Sequence, residues 1–208
     1  MSSFESQIRG MKHSDLVYVV QIHSHAFPNF FMTLLGISFL RSYYLTVLEY
    51  KKSISLVSVD RDGNITGFAV GFFDSSSFYK FFKMKFYRFF FSTFMAFIRR
   101  PYLLKRIFGG FLRVNKSERK GHTGKIIEIS SIGVITKGSG VGKSLLGAFI
   151  DVSFKQGAEA VVLTTDMYNN DGVIAFYKGR GFVQSDIDVR GDRPMIQFTL
   201  INPKNNST

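Results

Sequence analysis

The segment KGSGVGKS, residues 137–144, constrains the fold of this chain more than any other part of the sequence. It follows a strand-like run, KIIEISSIGVI at 125–135, and it opens a helical pattern that continues to about residue 156. Glycines at the start of a helix let free backbone N–H groups approach a phosphate closely, and Lys143 adds positive charge. The segment therefore predicts a strand–loop–helix unit that binds a phosphate group.

Two nucleotide-binding motifs fit this segment only in part. A P-loop also ends with residues like Gly142, Lys143 and Ser144, but it needs a glycine where this chain has Lys137. The dinucleotide motif GxGxxG needs a glycine at position 143, which is a lysine. A nucleotide triphosphatase is the alternative that this leaves open, with Asp166 as the acid that would hold magnesium.

A second segment makes the pattern more specific. Asn170 is followed seven residues later by Tyr177, and then by the pair Gly181 and Phe182. One predicted helix and one predicted strand separate this segment from Lys-Gly-Ser-Gly-Val-Gly at 137–142. Together, the two segments resemble those of the GNAT superfamily of N-acetyltransferases. In that family the first segment reads Gln/Arg-x-x-Gly-x-Gly/Ala, so a lysine stands here in the Gln/Arg place.

The resemblance covers about 125–200 most fully, and over 1–73 the order of predicted elements also suits the family. Hydrophobic periodicity predicts the order β–α–α–β–β–insertion–β–α–β–α–β–β. The family implies an α/β fold with a mixed, mostly antiparallel central sheet flanked by helices. We expect a single acetyltransferase domain over 1–208, with an aromatic and basic helical insertion between strands 3 and 4 at about 76–120.

Local patterns place several element boundaries. Ser14 is the expected N-cap of a first helix that runs to about Phe27, and a second helical pattern covers roughly 31–50. A hairpin is expected over 54–73. A final hairpin is expected to turn at Arg-Gly-Asp, residues 190–192.

The resemblance implies acetyl-CoA as the co-substrate and no metal. The fourth strand is then expected to bind the pantetheine arm through its backbone, and the glycine segment is expected to bind the pyrophosphate. Asn170 is expected to start a helix or to position the cofactor. The residues expected to contact acetyl-CoA are Ile132, Gly133, Val134, Lys137, Gly138, Ser139, Gly140, Val141, Gly142, Lys143, Ser144, Asn170 and Tyr177.

Tyr177 is the expected acid for the departing thiolate. The family implies direct transfer to an amine without a covalent enzyme intermediate, and the chain has no cysteine. A phenol with a pKa of about 10 is protonated at neutral pH and can donate to a thiolate. The alternative is an aromatic side chain packed in the core.

Glu128 is the expected base on the amine side. Strict alternation along the strand places it on the same face as Val134, where it could accept a proton through water. The alternative is a strand-edge carboxylate paired with Lys125 or with an arginine of the insertion. His23 and His25, near the end of the first helix, either face the acceptor or are surface or capping residues.

The net charge of +12 is concentrated in the insertion. Residues 78–120 hold twelve Lys or Arg and a single acid, Glu118, and eleven phenylalanines lie within 78–111. The longest uncharged run, ten residues at 89–98, is too short to cross a bilayer, because a membrane helix takes about 20 residues.

Two uses of this insertion stay open. Its helices could cap the acceptor side, where basic side chains bind an acidic or phosphate-bearing acceptor. It could instead contact a membrane surface through 78–113, although its first four basic residues spread over roughly 200° of a helical wheel. No nucleic-acid partner is expected, because no recognised binding module is present.

The sequence therefore predicts an acetyl-CoA-dependent acetyltransferase that moves an acetyl group to an amine by direct transfer. More loosely, the Phe-rich insertion resembles that of members linked to bacterial surface-polysaccharide biosynthesis, which favours an amino-sugar or nucleotide-sugar acceptor. The alternatives are a membrane-peripheral coenzyme A-binding protein with little transferase activity and a protein N-acetyltransferase. We expect a cytoplasmic location, at the inner face of the membrane if the insertion contacts it. The resemblance is also compatible with a homodimer.

Overall fold

Seven strands form one central sheet in this computed structural model, which describes residues 6–85, 87–89, 94, 125–190 and 193–206. The strands are β1 (Gln7–Gly10), β2 (Ser53–Val59), β3 (Ile65–Phe73), β4 (Ile126–Val134), β5 (Ala160–Asp166), β6 (Val183–Arg190) and β7 (Arg193–Ile201). Their order across the sheet is β1-β2-β3-β4-β5-β7-β6. All neighbours are antiparallel except β4 and β5, which are parallel.

Helices cover both faces of the sheet. They are α1 (Leu16–Ala26), α2 (Phe31–Leu34), α3 (Ile37–Glu49), α4 (Ser75–Met84), α5 (Val141–Lys155) and α6 (Asp171–Lys178). On one face, called the α3 face, α1, α3 and α4 bury a cluster that includes Tyr44 and Phe68. On the other, the α5 face, α5 and α6 bury a cluster that includes Phe149 and Phe198. The predicted mixed α/β fold and the order of its elements are confirmed.

Two helix boundaries differ from the prediction. Ser14 is not an N-cap, because it lies in a short 3-10 turn whose Asp15 carboxylate accepts a hydrogen bond from the Lys12 N–H at 2.7 Å. The helical pattern over 31–50 is divided into α2 and α3 at Gly36. The φ of Gly36 is +97°, a left-handed conformation that a helix interior does not allow.

The first helix of the insertion, α4, separates its faces more clearly than the sequence pattern suggests. Phe78 and Phe82 are buried in the α3-face cluster. Lys85 Nζ and Arg88 Nη1 both form ion pairs with Glu49 Oε2, at distances of 3.7 Å and 2.7 Å. The wide spread of basic residues around the helix therefore reflects two different surfaces, and among the described residues the one that carries Lys85 and Arg88 forms ion pairs with Glu49.

The rest of the predicted insertion lies outside the described residues, at 86, 90–93 and 95–120, and so do residues 121–124 that follow it. The turn residues 191–192 of the last hairpin lie outside them as well, although β6 and β7 pair as predicted. Within the described part of the chain, no helix is both long enough and apolar enough to cross a bilayer. The same part contains no group of three or more His, Cys, Asp or Glu side chains that could hold a metal ion.

Candidate active site

A bulge at Ser130 interrupts the regular pairing of β4 with β3. The two strands pair residue by residue up to Ile129 and again from Ser131, so Ser130 is an extra residue on β4. The two backbones come very close here. A Cβ atom on Gly71 would collide with the carbonyl oxygen of Glu128. The bulge therefore requires a glycine at position 71.

The pairing of β4 with β5 ends at the same place. The parallel ladder joins 126–129 to 160–163, and the described residues of the two strands share no ladder pair beyond it. β4 continues to Val134 beside β3, while β5 continues to Asp166 beside β7. The strands therefore diverge and leave the β4–β5 gap, where residues 130–134 present backbone groups that no described strand pairs on that side.

The glycine segment leads from the end of β4 into α5. Gly138 and Gly140 have φ values of +77° and +85°, and a Cβ atom on either would meet no atom within 4 Å. No described side chain caps α5, so its first N–H groups can bind an anion. Lys137 and Lys143 are exposed on the same segment. Where β4 ends and α5 begins, the described part of the gap thus combines uncapped N–H groups with positive charge.

Other residues of this segment have more local partners. Val141 is buried in the α5-face cluster, so it can offer a ligand its backbone but not its side chain. The Ser139 hydroxyl donates to the Thr136 carbonyl at 2.8 Å. Ser144 is exposed, and its N–H donates to the Gly140 carbonyl at 3.1 Å as the first bond of α5. These contacts within the glycine segment stabilise its conformation.

The faces of β4 do not follow the predicted strict alternation. Glu128 lies on the α3 face, as does Gly133 after the bulge. Ile132 and Val134 lie on the α5 face. The prediction that Glu128 and Val134 share a face is therefore wrong, because the extra residue, Ser130, shifts the alternation by one position.

Glu128 is half-buried where the gap begins, and the first residue of α4 contacts it. The Ser75 hydroxyl donates to Glu128 Oε2 at 2.5 Å. The alternative pairing with Lys125 does not form. Lys125 Nζ donates to the Gln156 carbonyl and lies 4.7 Å from the ring centroid of Phe73. Most arginines of the insertion, the other predicted partners, lie outside the described residues.

Tyr177 lies in α6 with its ring buried. The ring centroids of Phe176, Phe182 and Phe198 are 5.3 Å, 5.7 Å and 6.2 Å away. Burial raises the pKa of Tyr177 to about 12. The ring is therefore part of the α5-face cluster, and the hydroxyl keeps its proton at neutral pH.

Asn170 connects the end of β5 to the start of α6. It is the N-cap residue of α6, and its carbonyl accepts the Ile174 N–H at 3.0 Å. Its side-chain amide donates to Thr165 Oγ1 at 2.7 Å and to the Asp166 carbonyl at 3.0 Å. Asn170 thereby fixes the end of β5, which lies on the side of the gap opposite β4.

His23 and His25 have opposite surroundings. His23 is fully buried on the α3 face, and its Nδ1 lies 2.6 Å from the Tyr44 hydroxyl. Burial lowers the pKa of His23 to about 4, so the ring is neutral at neutral pH. His25 is exposed. For His23 the surface and capping roles are therefore both wrong.

Sequence reasoning missed the hydroxyl groups that surround the bulge. Tyr43 of α3 contacts Ser130 of β4, Tyr44 lies near Ser131, and Ser75 contacts the candidate base. Tyrosine and serine pairs are common in sequences, and nothing in their spacing links α3 to β4. Only the packing of the helix on the sheet brings them together.

Known acetyltransferases resemble this chain in sequence and in fold. The model of the Acetyltransferase (GNAT) family matches residues 17–182. No curated protein matches the chain significantly.

Three solved structures illustrate the likeness in fold. NAA60 of Arabidopsis thaliana, in complex with acetyl-CoA, is 16% identical, with a TM-score of 0.59 over 94% of this chain and 98% of that one. A ribosomal-protein alanine N-acetyltransferase from Escherichia coli is 15% identical, with a TM-score of 0.58 over 94% and 93%. The spermidine/spermine N-acetyltransferase SpeG from Vibrio cholerae is 14% identical, with a TM-score of 0.56 over 98% and 100%.

Proposed function

This chain belongs to the GNAT acetyltransferase family and is an acetyl-CoA-dependent N-acetyltransferase, and we propose that it transfers the acetyl group directly to an amine in the β4–β5 gap. The observation that carries the proposal is the gap itself, with an edge of β4 that no described strand pairs on one side and the glycine segment where β4 ends. These are the two features that a ligand with amide groups and a pyrophosphate requires.

The two parts of acetyl-CoA fit two parts of this region. The amides of the pantetheine arm can pair with the backbone of Ile132, Gly133 and Val134, as a neighbouring strand would. The pyrophosphate can accept hydrogen bonds from N–H groups within 137–143 and from the exposed Ser144 hydroxyl, where Lys137 and Lys143 add charge. Bound there, acetyl-CoA supplies an activated acetyl group at the point where β4 leaves β5.

Glu128 is proposed as the base that receives the proton of the acceptor amine. An ammonium group cannot attack a thioester, so it must lose a proton first. Glu128 is half-buried at the start of the gap and can take that proton directly or through one water. Ser75, which donates to its Oε2, fixes the orientation of the carboxylate.

Tyr177 is proposed as a hydrogen-bond donor to the departing sulfur. Its pKa of about 12 makes it a weaker acid than an ordinary thiol, whose pKa is about 8.5. Complete proton transfer from Tyr177 to the thiolate would therefore be uphill. The tyrosine hydroxyl stabilises the thiolate while it forms, and the proton that leaves the amine finally neutralises it.

Hydroxyl and carboxylate groups support an amino-sugar as the acceptor. Beside Glu128, alternation along β5 places Thr164 and Asp166 on the α3 side of the sheet, where both are half-buried. Such groups bind the hydroxyls of a sugar ring. The charge of 78–120 supports a phosphate-bearing form, such as the nucleotide-sugars of surface-polysaccharide biosynthesis. A protein N-terminus is the second candidate, supported by the likeness to the ribosomal-protein alanine N-acetyltransferase.

A thiol-release assay with a panel of amines tests this proposal. Acetyl-CoA is supplied with a nucleotide amino-sugar, glucosamine, spermidine or a peptide with a free N-terminus. We expect saturable release of coenzyme A above the hydrolysis background, with the amino-sugars preferred. Turnover with the peptide alone would favour a protein N-acetyltransferase. Binding of acetyl-CoA without release for any amine would favour a coenzyme A-binding protein with little transferase activity.

We further propose that 1–208 is a single acetyltransferase domain with the insertion at about 76–120. The position of α4 supports this. Phe78 and Phe82 pack in the same cluster as α1 and α3, so the insertion begins inside the core of the domain.

The outward side of α4 supports contact with an anionic membrane. Lys80 and Lys83 are exposed there, beside Met84 and Tyr87, whose exposed fractions are 76% and 68%. Cations interleaved with apolar side chains are typical of a helix that lies on a membrane surface. We propose a cytoplasmic enzyme that docks on the inner face of the membrane through this side of α4.

Vesicle sedimentation tests the docking. We expect the protein to bind phosphatidylglycerol vesicles and not phosphatidylcholine vesicles. Lys80→Glu/Lys83→Glu is expected to weaken binding by roughly tenfold or more, because each basic residue near the surface contributes about 1 kcal/mol. Lys155→Glu/Lys178→Glu changes the net charge equally and is the matched control, with exposed lysines on α5 and α6. Equal loss in both variants would contradict docking through α4.

A further inference from the structure

Two adjacent tyrosines of α3 face two adjacent serines of β4. The Tyr43 hydroxyl lies 2.6 Å from Ser130 Oγ. The Tyr44 hydroxyl lies 2.6 Å from His23 Nδ1, and the Ser131 side chain is near enough to lower the pKa of that phenol against the effect of burial. One helix therefore lies against both serines at the bulge.

These hydroxyls lie in an environment that suits phenylalanine better. Tyr43 and Tyr44 are 6% and 0% exposed, inside the apolar cluster of the α3 face. A buried hydroxyl costs free energy unless it has a hydrogen-bond partner. The chain uses 24 phenylalanines and only 9 tyrosines, so an aromatic ring alone does not explain tyrosine at both positions. The two tyrosine hydroxyl groups therefore have a role beyond the packing of their rings.

The position of Ser130 and Ser131 in the sheet indicates the role of the tyrosine hydroxyls. In the parallel ladder, 126–129 pairs with 160–163 at a constant offset. The same offset carried onward would pair Ser130 with Thr164, and the next residues of β4 with the end of β5. Such pairing would remove the bulge and close the gap.

We propose that Tyr43 and Tyr44 are positioning residues whose hydroxyls hold Ser130 and Ser131 in the bulge and thereby keep the β4–β5 gap open for acetyl-CoA. This inference rests on the proposed function, since it assigns the gap to acetyl-CoA. The two tyrosine hydroxyls contact Ser130 Oγ and His23 Nδ1. They act through the backbone of β4, whose edge pairs with no described strand beyond Ile129 on the β5 side.

Removal of single hydroxyl groups tests the proposal. Tyr43→Phe and Tyr44→Phe are each expected to raise the Kd for acetyl-CoA about fivefold, the change that one ordinary hydrogen bond produces. The KM for acetyl-CoA should rise with it, while the KM for the amine stays unchanged. Tyr50→Phe is the matched control, because its hydroxyl makes one long bond of 3.4 Å to the Phe73 carbonyl, away from the bulge.

A double-mutant cycle tests the contact from the strand side. Ser130→Ala is expected to raise the Kd like Tyr43→Phe, and the double variant should be no weaker than either single variant. Ser131→Ala tests the Tyr44 contact in the same way, and it replaces Tyr44→Phe if that variant does not fold. Additive effects would overturn the proposal, because they would show that the two hydroxyls do not act through each other.

The outcomes separate this inference from the function on which it rests. If the wild-type protein does not bind acetyl-CoA, the assignment of the gap is wrong. If the wild-type binds and both tyrosine variants keep its Kd, the gap assignment stands and the positioning role is wrong. A lower active fraction at unchanged Kd and unchanged KM would show a purely structural role and would also overturn the proposal.

Discussion

Replacement of Glu128 by glutamine is expected to lower kcat by about 100-fold or more, the usual contribution of a positioned base. Glutamine has the same shape and still accepts the hydrogen bond from Ser75, so the surroundings of the bulge should not change. It cannot take a proton from the amine. The Kd for acetyl-CoA, measured by calorimetry, should therefore stay within about twofold of the wild-type value while kcat falls.

Glu159→Gln is the matched control for this prediction. Glu159 is exposed between α5 and β5, and its replacement removes the same charge from the same protein. We expect its kcat to equal that of the wild-type enzyme. If Glu128→Gln also keeps its full kcat, Glu128 is not the base, and the amine loses its proton to water before it binds.

Replacement of Gly71 by alanine is expected to lower the free energy of unfolding by about 3 kcal/mol or more. The added Cβ would collide with the Glu128 carbonyl and would lie 2.6 Å from the ring of Phe149. Neither neighbour can move freely, because one is backbone at the bulge and the other is a fully buried side chain of α5. Denaturant unfolding followed by circular dichroism measures the change.

Gly147→Ala is the matched control for the Gly71 prediction. Gly147 is exposed within α5, and a Cβ atom there would meet nothing within 4 Å. Alanine in a helix is favoured over glycine, so this variant should gain about 0.5–1 kcal/mol. If Gly71→Ala is as stable as the wild-type protein, β3 and β4 can separate at the bulge without cost, and the close approach is not essential.

Much of the fold is predictable from local patterns. The alternation in β4, the continuous apolar run of β5 and the glycine before α5 each predicted their elements within a few residues. These signals are local, because periodicity and capping act between neighbours in the chain. The break at Gly36 was missed because a single glycine inside an apolar helical pattern does not by itself indicate a helix end.

The centre of the candidate site is not predictable in the same way. The bulge at Ser130 depends on the close approach of Gly71, which lies in another strand. No pattern within β4 indicates the bulge. Simple alternation therefore placed Glu128 and Val134 on the same face of the sheet, which is wrong. The burial of His23 likewise follows from its contact with Tyr44 across two helices. Such features arise from tertiary packing, which overrides the local pattern.

Calorimetric titration of the purified protein with acetyl-CoA measures whether the glycine segment and the β4–β5 gap bind this cofactor, with ATP and magnesium as the competing ligand. We expect saturable binding of acetyl-CoA at one site per chain and no binding of ATP. We also expect Gly140→Asp to lose this binding, because a carboxylate at the start of α5 repels the pyrophosphate. If the folded wild-type protein binds ATP with magnesium, or fails to bind acetyl-CoA, the glycine segment does not bind the pyrophosphate of coenzyme A.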